Sequence, residues 1–409
     1  MRRRARCALP TVRMKCIATR SDAWSWTAGT EPGKLACVID QKRESLPMTV
    51  ESYFSATYGE ARDKFRAAAT DAGAKLVSFE NPNAKGPKGE TLTTDVALLG
   101  PEKAERVYLT ISGTHGAEGF CGSGAQIGHF KDKLFDAMPA NSLAIMVHAI
   151  NPYGFAHVRR VTEDNVDLNR NFQDFSKPLP VNAAYEEVHD LLLPQVWEGQ
   201  GRAAADQAIL EYQNKHGAFA FQSAMSGGQY SRPDGLFFGG QKPTWSNATF
   251  RRILKELVPA TARKLVSVDF HTGLGPMGYG EPIYIGPDDP AFYARAKAVF
   301  GPEVTNPNDG SSSSARVTGT VPEAFLDLPK SIEVTAIAME YGTQHWQQVT
   351  EALRGDHWLH ARGGDVNSPL GQQLKRKIRD AFYTDTPAWK AAIAGRAADF
   401  ALRAFRGLE

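Results

Sequence analysis

The alternation of apolar and polar positions along the chain predicts short buried strands separated by amphipathic helices. Six apolar runs bounded by turn residues are typical of strands: "ETLTTDVALLG" at 90–100, "ERVYLTIS" at 105–112, "SLAIMVHAI" at 142–150, "RKLVSVDFHTG" at 263–273, "EPIYIG" at 281–286 and "SIEVTAIAMEYGT" at 331–343. Helical spacing covers 49–70, 124–135, 182–217, 249–258, 290–301 and most of the chain after 343. Apolar strands that alternate with helices predict an α/β fold, with a mixed, largely parallel central sheet flanked by helices on both faces.

The segments between these elements are rich in turn residues. A Pro-, Gly- and Lys-containing stretch near 81–90, the polar stretch from 151 to about 180 and the Gly-rich segment 225–240 are predicted as loops. The stretch "ISGTHGAEGF" at 111–120 follows an apolar strand and carries three glycines. Because glycine is a poor helix former, this stretch is predicted not to be built on a helix.

The charge of the chain is divided between its two ends. Residues 1–47 carry ten Lys or Arg against four Asp or Glu, a net of +6, which leaves −4 for 48–409 out of the total of +2. Nothing in this mildly acidic body indicates a nucleic-acid surface, and no run reaches the ~18–20 apolar residues of a membrane span. Residues 1–47 fit an organelle-type leader, a disordered basic arm or sequence upstream of a natural start at Met48. The last is favoured, because the first ordered-looking segment follows Met48 directly.

The cysteines are divided in the same way. Cys7, Cys16 and Cys37 lie in the basic segment, and Cys121 is the single cysteine of 48–409. A lone cysteine cannot form an internal disulfide, so a reducing, cytoplasmic compartment is expected. The oligomeric state cannot be predicted from these features.

Polar side chains follow four of the predicted strands. His115 and Glu118 come after the second strand, "RRVTEDNVDLNRNF" comes after the third, and His271 and Glu340 are predicted at the ends of two later strands. Ligands of open α/β sheets bind at the carboxyl ends of the strands. Since a buried strand gains no stability from such an ending, the four together indicate a site.

Each of these features alone has an ordinary explanation. The His115–Glu118 spacing arises by chance in many chains, His271 could be a structural histidine, "DLNRNF" could be a loop tied by its own side chains, and Glu340 could be a solvated charge. A phosphate loop is excluded, because no Gly-Lys-Ser/Thr and no GxGxxG follows. Their joint order along the chain favours a site over coincidence.

That order resembles a known superfamily. The motif order is similar to that of the zinc carboxypeptidases of the M14 superfamily. It consists of HxxE, an arginine before "VDLNRNF", a histidine in "VDFHTG" and a glutamate in "AMEYG". This superfamily includes aspartoacylase and succinylglutamate desuccinylase deacylases, and the resemblance is strongest to its branch DUF2817. The resemblance covers about 48–400 and implies one M14-like zinc hydrolase domain at 48–409, with an insertion at about 174–262.

The resemblance also implies a role for each matching residue. It makes His115, Glu118 and His271 the ligands of Zn²⁺, Glu340 the general base, and Arg160 the group that steadies the scissile carbonyl. Asn169 and Arg170 would bind the substrate carboxylate, and Asp167 would orient the first zinc histidine. Arg159 is an adjacent alternative to Arg160. A His₂Glu set suits such an enzyme, because it leaves the metal one position for water.

Three functions remain open from the sequence. The first is a zinc-dependent hydrolase of an amide bond adjacent to a free carboxylate, acting on small peptides. The second is an N-acyl-amino-acid deacylase, which "DFHTGLG" and "MEYGT" favour. The third is a non-catalytic zinc- or carboxylate-binding module, which is disfavoured because Glu340, Arg160 and Arg170 are all present.

Overall fold

The apolar runs of the sequence form seven strands of one sheet in a computed structural model that describes residues 49–409. The strands are β1 (Lys75–Lys85), β2 (Thr91–Leu99), β3 (Arg106–Ile111), β4 (Ser142–His148), β5 (Lys264–Met277), β6 (Gly280–Tyr284) and β7 (Glu333–Gly342). Their order in the sheet is β1-β2-β4-β3-β5-β7-β6. The central strands β4, β3, β5 and β7 are parallel, and β1, β2 and β6 are antiparallel to their neighbours. The predictions for 1–47 lie outside the described residues.

Eleven α-helices of the described chain surround this sheet. They are α1 (Tyr58–Asp71), α2 (Gly119–Lys131), α3 (Pro152–Ala156), α4 (Ala183–Leu192), α5 (Gln200–His216), α6 (Ala218–Ser226), α7 (Trp245–Leu257), α8 (Pro290–Phe300), α9 (Trp346–Ala361), α10 (Pro369–Phe382) and α11 (Pro387–Leu408). Short 3₁₀ helices span Val50–Tyr53, Gly116–Glu118, Leu134–Ala137, Leu168–Arg170 and Val321–Asp327. No helix of residues 49–409 combines the length and the apolar character that crossing a bilayer requires.

Both faces of the sheet are covered, as alternate residues of β3 illustrate. Val107 and Leu109 belong to an apolar cluster that includes residues of α7 and the 3₁₀ helix Val321–Asp327. Tyr108, which points to the other face, packs edge-on against Phe405 of α11 at 5.0 Å between ring centroids. Side chains of successive strand residues point to opposite faces, so a strand buried on both sides is apolar throughout. The predicted α/β class, largely parallel and covered on both faces, is confirmed.

A separate apolar cluster joins α4, α6, α9 and α10. It includes Ala117 and Phe237, which come from the turn after β3 and from the Gly-rich segment 225–240. The predicted helical stretch 182–217 is two helices rather than one. Pro194 lies between α4 and α5, and proline cannot continue a helix because it has no backbone N–H and clashes with the preceding turn.

Two sequence-based predictions about local structure are wrong. The segment predicted as a loop near 81–90 contains the end of β1, an edge strand that the apolar pattern missed because few of its residues are buried. The helix predicted at 124–135 begins earlier, since α2 starts at Gly119, while 111–118 contains no α-helix, as predicted. A Cβ at position 119 would lie 2.6 Å from the Phe155 ring, so close packing favours glycine here over a better helix former.

His271 and Glu340 lie inside their strands, although the pattern predicted them at the strand ends. β5 continues to Met277 and β7 to Gly342, whereas β3 ends at Ile111, opposite Asp269. The two residues are register partners on adjacent parallel strands. Beyond the end of β3, this part of the sheet is open to the turn that carries His115 and Glu118.

Candidate metal centre and substrate cavity

The turn after β3 brings His115 and Glu118 together. His115 is extended, and Gly116–Glu118 forms a single 3₁₀ turn that leads into α2. A Cβ on Gly116 would lie 1.8 Å from the backbone of Gly154, so only glycine allows the turn to pack against α3. In this geometry His115 Nδ1 lies 2.9 Å from Glu118 Oε1.

His271 of β5 completes a three-residue cluster. Its Nδ1 lies 3.2 Å from Glu118 Oε2 and 3.3 Å from His115 Nδ1. One nitrogen or oxygen of each residue lies within 4.8 Å of the others, and all three side chains are buried. No other set of three His, Cys, Asp or Glu side chains converges in this way within 49–409. We call these three residues the metal centre.

Two further carboxylates lie behind the two histidines. Asp167 Oδ1 is 3.2 Å from His115 Nε2, and Asp269 Oδ2 is 2.9 Å from His271 Nε2. A carboxylate on one ring nitrogen fixes the tautomer and leaves the lone pair of the other nitrogen free for a metal. Both Nδ1 atoms face the centre of the cluster, as ligand atoms should, and Arg160 Nη2 lies 2.8 Å from His115 Nε2 on the opposite side of that ring.

The sequence analysis missed Asp269. Its signal is its position two residues before His271, because alternate residues of a strand share a face. The hydroxyl of Thr114 lies 3.0 Å from each Asp269 oxygen and donates to the carboxylate. Asp269 thus lies against His271 as Asp167 lies against His115.

Opposite charges stabilise one another at the metal centre. Burial alone would raise the pKa of Glu118, but the charges of His115 and His271 hold it well below its usual range. Burial likewise opposes the charged form of His271, yet Asp269 and Glu118 raise the pKa of its imidazole well above the ordinary value. A proton on this ring supplies positive charge that a bound cation would otherwise provide. The donor set and its charge therefore fit a divalent metal ion such as zinc.

Glu340 lies beside the metal centre on β7. Its Oε1 accepts a hydrogen bond of 2.9 Å from the backbone N–H of Leu274. Burial first, and then the charge of Glu118, raise the pKa of Glu340 to about 8. A carboxyl group with a pKa near neutrality is suited to accept and return a proton, and a nearby cation would favour its ionised form.

Of the two adjacent arginines, Arg160 lies at the metal centre and Arg159 points away from it. Arg160 Nη1 is 3.2 Å from Glu118 Oε1, and its Nε is 2.9 Å from Asp167 Oδ2. Arg159 Nε is 3.2 Å from Asp356 Oδ2 on α9. Only Arg160 therefore has access to a reacting group at the centre.

Asn169 and Arg170 follow Asp167 on the 3₁₀ helix Leu168–Arg170. The Asn169 side-chain oxygen accepts from the backbone N–H of Val321 at 3.0 Å. Arg170 is 5% exposed, and its two Nη atoms donate to the backbone carbonyls of Asn169 and Ser226 at 2.9 and 2.6 Å. Burial lowers the pKa of this guanidinium, although Asp167 counteracts the effect.

One cavity of about 120 Å³ connects these groups. The predicted site residues that line it are His115, Glu118, Arg160, Asn169, Arg170, His271 and Glu340, while Asp167 lies behind His115. The sequence analysis missed the apolar part of the lining, which includes Met225, Phe237, Ile283, Ala338 and Trp346. These residues come from two helices, two strands and one loop, and only Ala338, in "AMEYG", lies within a motif that the sequence analysis used. The cavity is smaller than the roughly 300–1,000 Å³ of pockets for drug-sized ligands.

The fold and the site together define an α/β protein with a buried His₂Glu metal-type cluster at the open end of a largely parallel sheet. Residues 54–396 match the model of the family described as "Protein of unknown function (DUF2817)". The chain belongs to this family. No curated protein matches the chain.

Several solved structures are similar to this chain at low sequence identity. They include carboxypeptidase A from Helicoverpa armigera, with 13% identity, a TM-score of 0.39 and coverage of 84% of this chain and 73% of that one. Murein-tripeptide amidase MpaA from Escherichia coli O157 has 15% identity, a TM-score of 0.33 and coverage of 72% and 95%. An aspartoacylase family protein from Mesorhizobium loti has 14% identity, a TM-score of 0.33 and coverage of 72% and 68%. Similarity at this level leaves the function to be inferred from the chain's own residues.

Proposed function

We propose that this protein is a zinc-dependent hydrolase that cleaves an amide bond adjacent to a free carboxylate. The observation that carries the proposal is the convergence of three kinds of group on one cavity of about 120 Å³. These are the metal centre, the carboxyl group of Glu340, and two guanidinium groups, Arg160 and Arg170. The order of these residues along the chain resembles that of the M14 zinc carboxypeptidases and deacylases, which supports the same reaction class.

His115, Glu118 and His271 would hold the zinc ion through two Nδ1 atoms and a carboxylate. When bound, zinc polarises a carbonyl group and makes water nucleophilic near neutral pH. Asp167 and Asp269 keep the two imidazoles in the tautomer that this binding requires.

Glu340 acts as the general base in this proposal. Its carboxylate takes a proton from the attacking water and returns it to the leaving nitrogen, a role worth typically ~10²–10⁴-fold in rate. The backbone N–H of Leu274 holds one of its oxygens, which leaves the other free to face the reaction.

Arg160 and Arg170 bind two different groups of the substrate, the carbonyl oxygen of the amide bond and the free carboxylate. Arg160 lies against the metal centre and stabilises the negative charge that develops on the carbonyl oxygen. Arg170 presents a planar guanidinium to the substrate carboxylate, with Asn169 beside it. Fixing the carboxylate in this way places the adjacent amide bond near Glu340.

Replacing Glu340 tests this mechanism. Glu340→Gln keeps the shape of the side chain but removes the base, so we expect turnover of dipeptides and N-acyl amino acids to fall at least about 10²-fold. Zinc content, measured by elemental analysis, should stay at one ion per chain. Glu333→Gln, on the exposed part of the same strand, is the matched control and should leave turnover unchanged. Full activity of Glu340→Gln would contradict the mechanism.

Blocking the substrate carboxylate tests the role of Arg170. An amidated or esterified terminus offers no negative charge to the buried guanidinium, so kcat/KM should fall at least about 10²-fold relative to the free acid. Equal hydrolysis of free and blocked substrates would remove this role from Arg170.

A further inference from the structure

We infer that the substrate carries one carboxylate, and that the residue bearing it has an uncharged, apolar side chain. This inference rests on the proposed function and deepens it, because it names the class of substrate. It follows from the charged groups that line the cavity and from the composition and position of one of its walls.

The cavity has one cation available for a substrate. Of the two guanidinium groups that line it, Arg160 already contacts Asp167 and Glu118 at 2.9 and 3.2 Å. Arg170 donates to two backbone carbonyls, and its buried Nε has no hydrogen-bond partner in the described structure. A second substrate carboxylate would therefore have no positive partner and would lie near Glu118 and Glu340. This arrangement disfavours N-acyl derivatives of aspartate and glutamate.

The cavity also has no carboxylate available for a basic side chain. The two carboxylates that line it, Glu118 and Glu340, belong to the metal centre and to the proposed base. A lysine or arginine side chain would have to displace these groups from their partners or remain unpaired. Burying an unpaired charge costs far more than burying a methylene group gains.

The wall beside Glu340 is apolar. Ala338 lies two residues before Glu340 on β7 and therefore points to the same face, and Ile283 is its register partner on β6. Ile285, Ala315 and Val317 extend this surface, and we call the five residues the apolar wall.

The part of the apolar wall that comes from the segment 313–319 is fixed at both ends. Glu281 accepts from the backbone N–H and the hydroxyl of Ser313 at 3.1 and 2.5 Å. At the other end the carbonyl of Gly319 accepts from the backbone N–H of Phe172 at 2.9 Å. A Cβ on Gly319 would lie 2.4 Å from the Arg170 carbonyl oxygen. The segment is thus anchored against the backbone of Arg170, and the wall and the Arg170 side chain line the same cavity, so the substrate side chain next to the carboxylate would lie against the wall.

A panel of N-acetyl amino acids tests the inference on the zinc-loaded wild-type protein. We expect kcat/KM for the leucine and valine derivatives to exceed that for the glutamate, aspartate, lysine and arginine derivatives at least about 10²-fold. A charged derivative hydrolysed as well as the leucine derivative would overturn the inference.

Substitution of Val317 should change which substrate side chain the cavity prefers. It is partly exposed on a segment without regular structure, so it tolerates a polar side chain better than Ala338 does. Val317→Asp should raise kcat/KM for the lysine derivative relative to the leucine derivative at least about tenfold. Val317→Asn is the matched control, because it has the same shape and no charge, and it should not produce this change. An identical preference in the two variants would overturn the assignment of Val317 to the wall.

Binding separates the failure of this inference from the failure of the proposed function. Calorimetric titration of Glu340→Gln with the same derivatives measures recognition without hydrolysis. Tighter binding of the leucine derivative in the absence of any wild-type turnover would support the apolar wall and contradict the proposed reaction. Equal binding of all derivatives, or binding of none, would overturn the inference.

Discussion

Arg159 and Arg160 are neighbours in the chain, but they belong to two different buried clusters of charge. Arg159 Nε lies 3.2 Å from Asp356 Oδ2, and Lys375 Nζ lies 2.6 Å from Asp356 Oδ1. We call these three residues the outer cluster. Arg160 lies at the metal centre with Glu118 and Asp167. The two clusters differ in how their charges are balanced.

The outer cluster neutralises its carboxylate internally. Burial raises the pKa of Asp356, but the charges of Lys375 and Arg159 outweigh it and lower the value to about 2. Lys375 also donates to the carbonyl of Val158 at 2.8 Å, so the cluster ties the loop between α3 and Arg160 to α9 and α10. Such a cluster needs no added cation.

The surroundings of the metal centre have the opposite balance. In the protonation state that binds a metal, both imidazoles are neutral, the four carboxylates Glu118, Asp167, Asp269 and Glu340 carry four negative charges, and Arg160 and Arg170 supply two positive ones. The difference of two is the charge of a divalent cation. Buried carboxylates that exceed their internal partners are costly without a metal, which explains why one cluster is structural and the other is a candidate binding site.

The largest expected effect separates the clusters by metal binding. Glu118→Gln removes one ligand and one excess negative charge, so zinc affinity should fall more than about 10²-fold, and turnover should fall with it. Mutating a residue that only hydrogen-bonds to a ligand already lowers metal affinity about 10–100-fold, and the loss of a ligand should cost more. The free energy of unfolding of the metal-free protein should also fall, because the folded chain stabilises the Glu118 carboxylate through His115, His271 and Arg160. A competition titration with a chromogenic chelator and urea unfolding measure the two quantities. Unchanged zinc affinity would remove Glu118 from the metal centre.

A smaller effect is expected at the outer cluster, and it should appear in stability alone. Asp356→Asn leaves the buried Arg159 and the partly buried Lys375 without their counter-charge, so the free energy of unfolding should fall by about 3–5 kcal/mol while zinc affinity stays the same. The double variant Asp356→Asn with Lys375→Met removes one of the unpaired cations and should recover part of this loss in urea unfolding. A drop in zinc affinity equal to that of Glu118→Gln would show that the two clusters are not independent.

The fold class was predictable because the strands are apolar along their whole length, as "RVYLTI" and "KLVSVDF" show. β1 was not, because an edge strand with few buried residues has no such pattern. The start of α2 at Gly119 was not predictable either, since its cause is the distance to Phe155 across the fold. Propensity describes a residue alone, whereas packing depends on residues far away in the chain.

The candidate site divides in the same way. Residues within recognisable motifs, such as His115 and Arg170, could be proposed in advance, and the structure brings them to one cavity. The sequence already favoured Arg160 over Arg159, but only the structure shows the two side chains pointing in opposite directions, Arg160 to the metal centre and Arg159 to Asp356. The apolar wall needed it too, since Ile283 and Val317 are ordinary residues that become a surface only through the register of β6 and the anchoring of the segment 313–319.

The smallest effect is expected from Asp269, which touches the metal centre only through His271. Asp269→Asn keeps a hydrogen-bond acceptor for His271 but removes the charge, so zinc affinity should fall about 10–100-fold, less than for the loss of the ligand Glu118. Thr114→Val is the matched control, because it removes a neutral donor to Asp269 and leaves the carboxylate in place, and its effect on zinc affinity should be smaller still. The same chelator competition measures both variants. If Asp269→Asn binds zinc as tightly as the wild type, the Asp269 carboxylate does not strengthen His271 as a ligand. The negative charge that favours zinc binding would then come from Glu118, Asp167 and Glu340 alone.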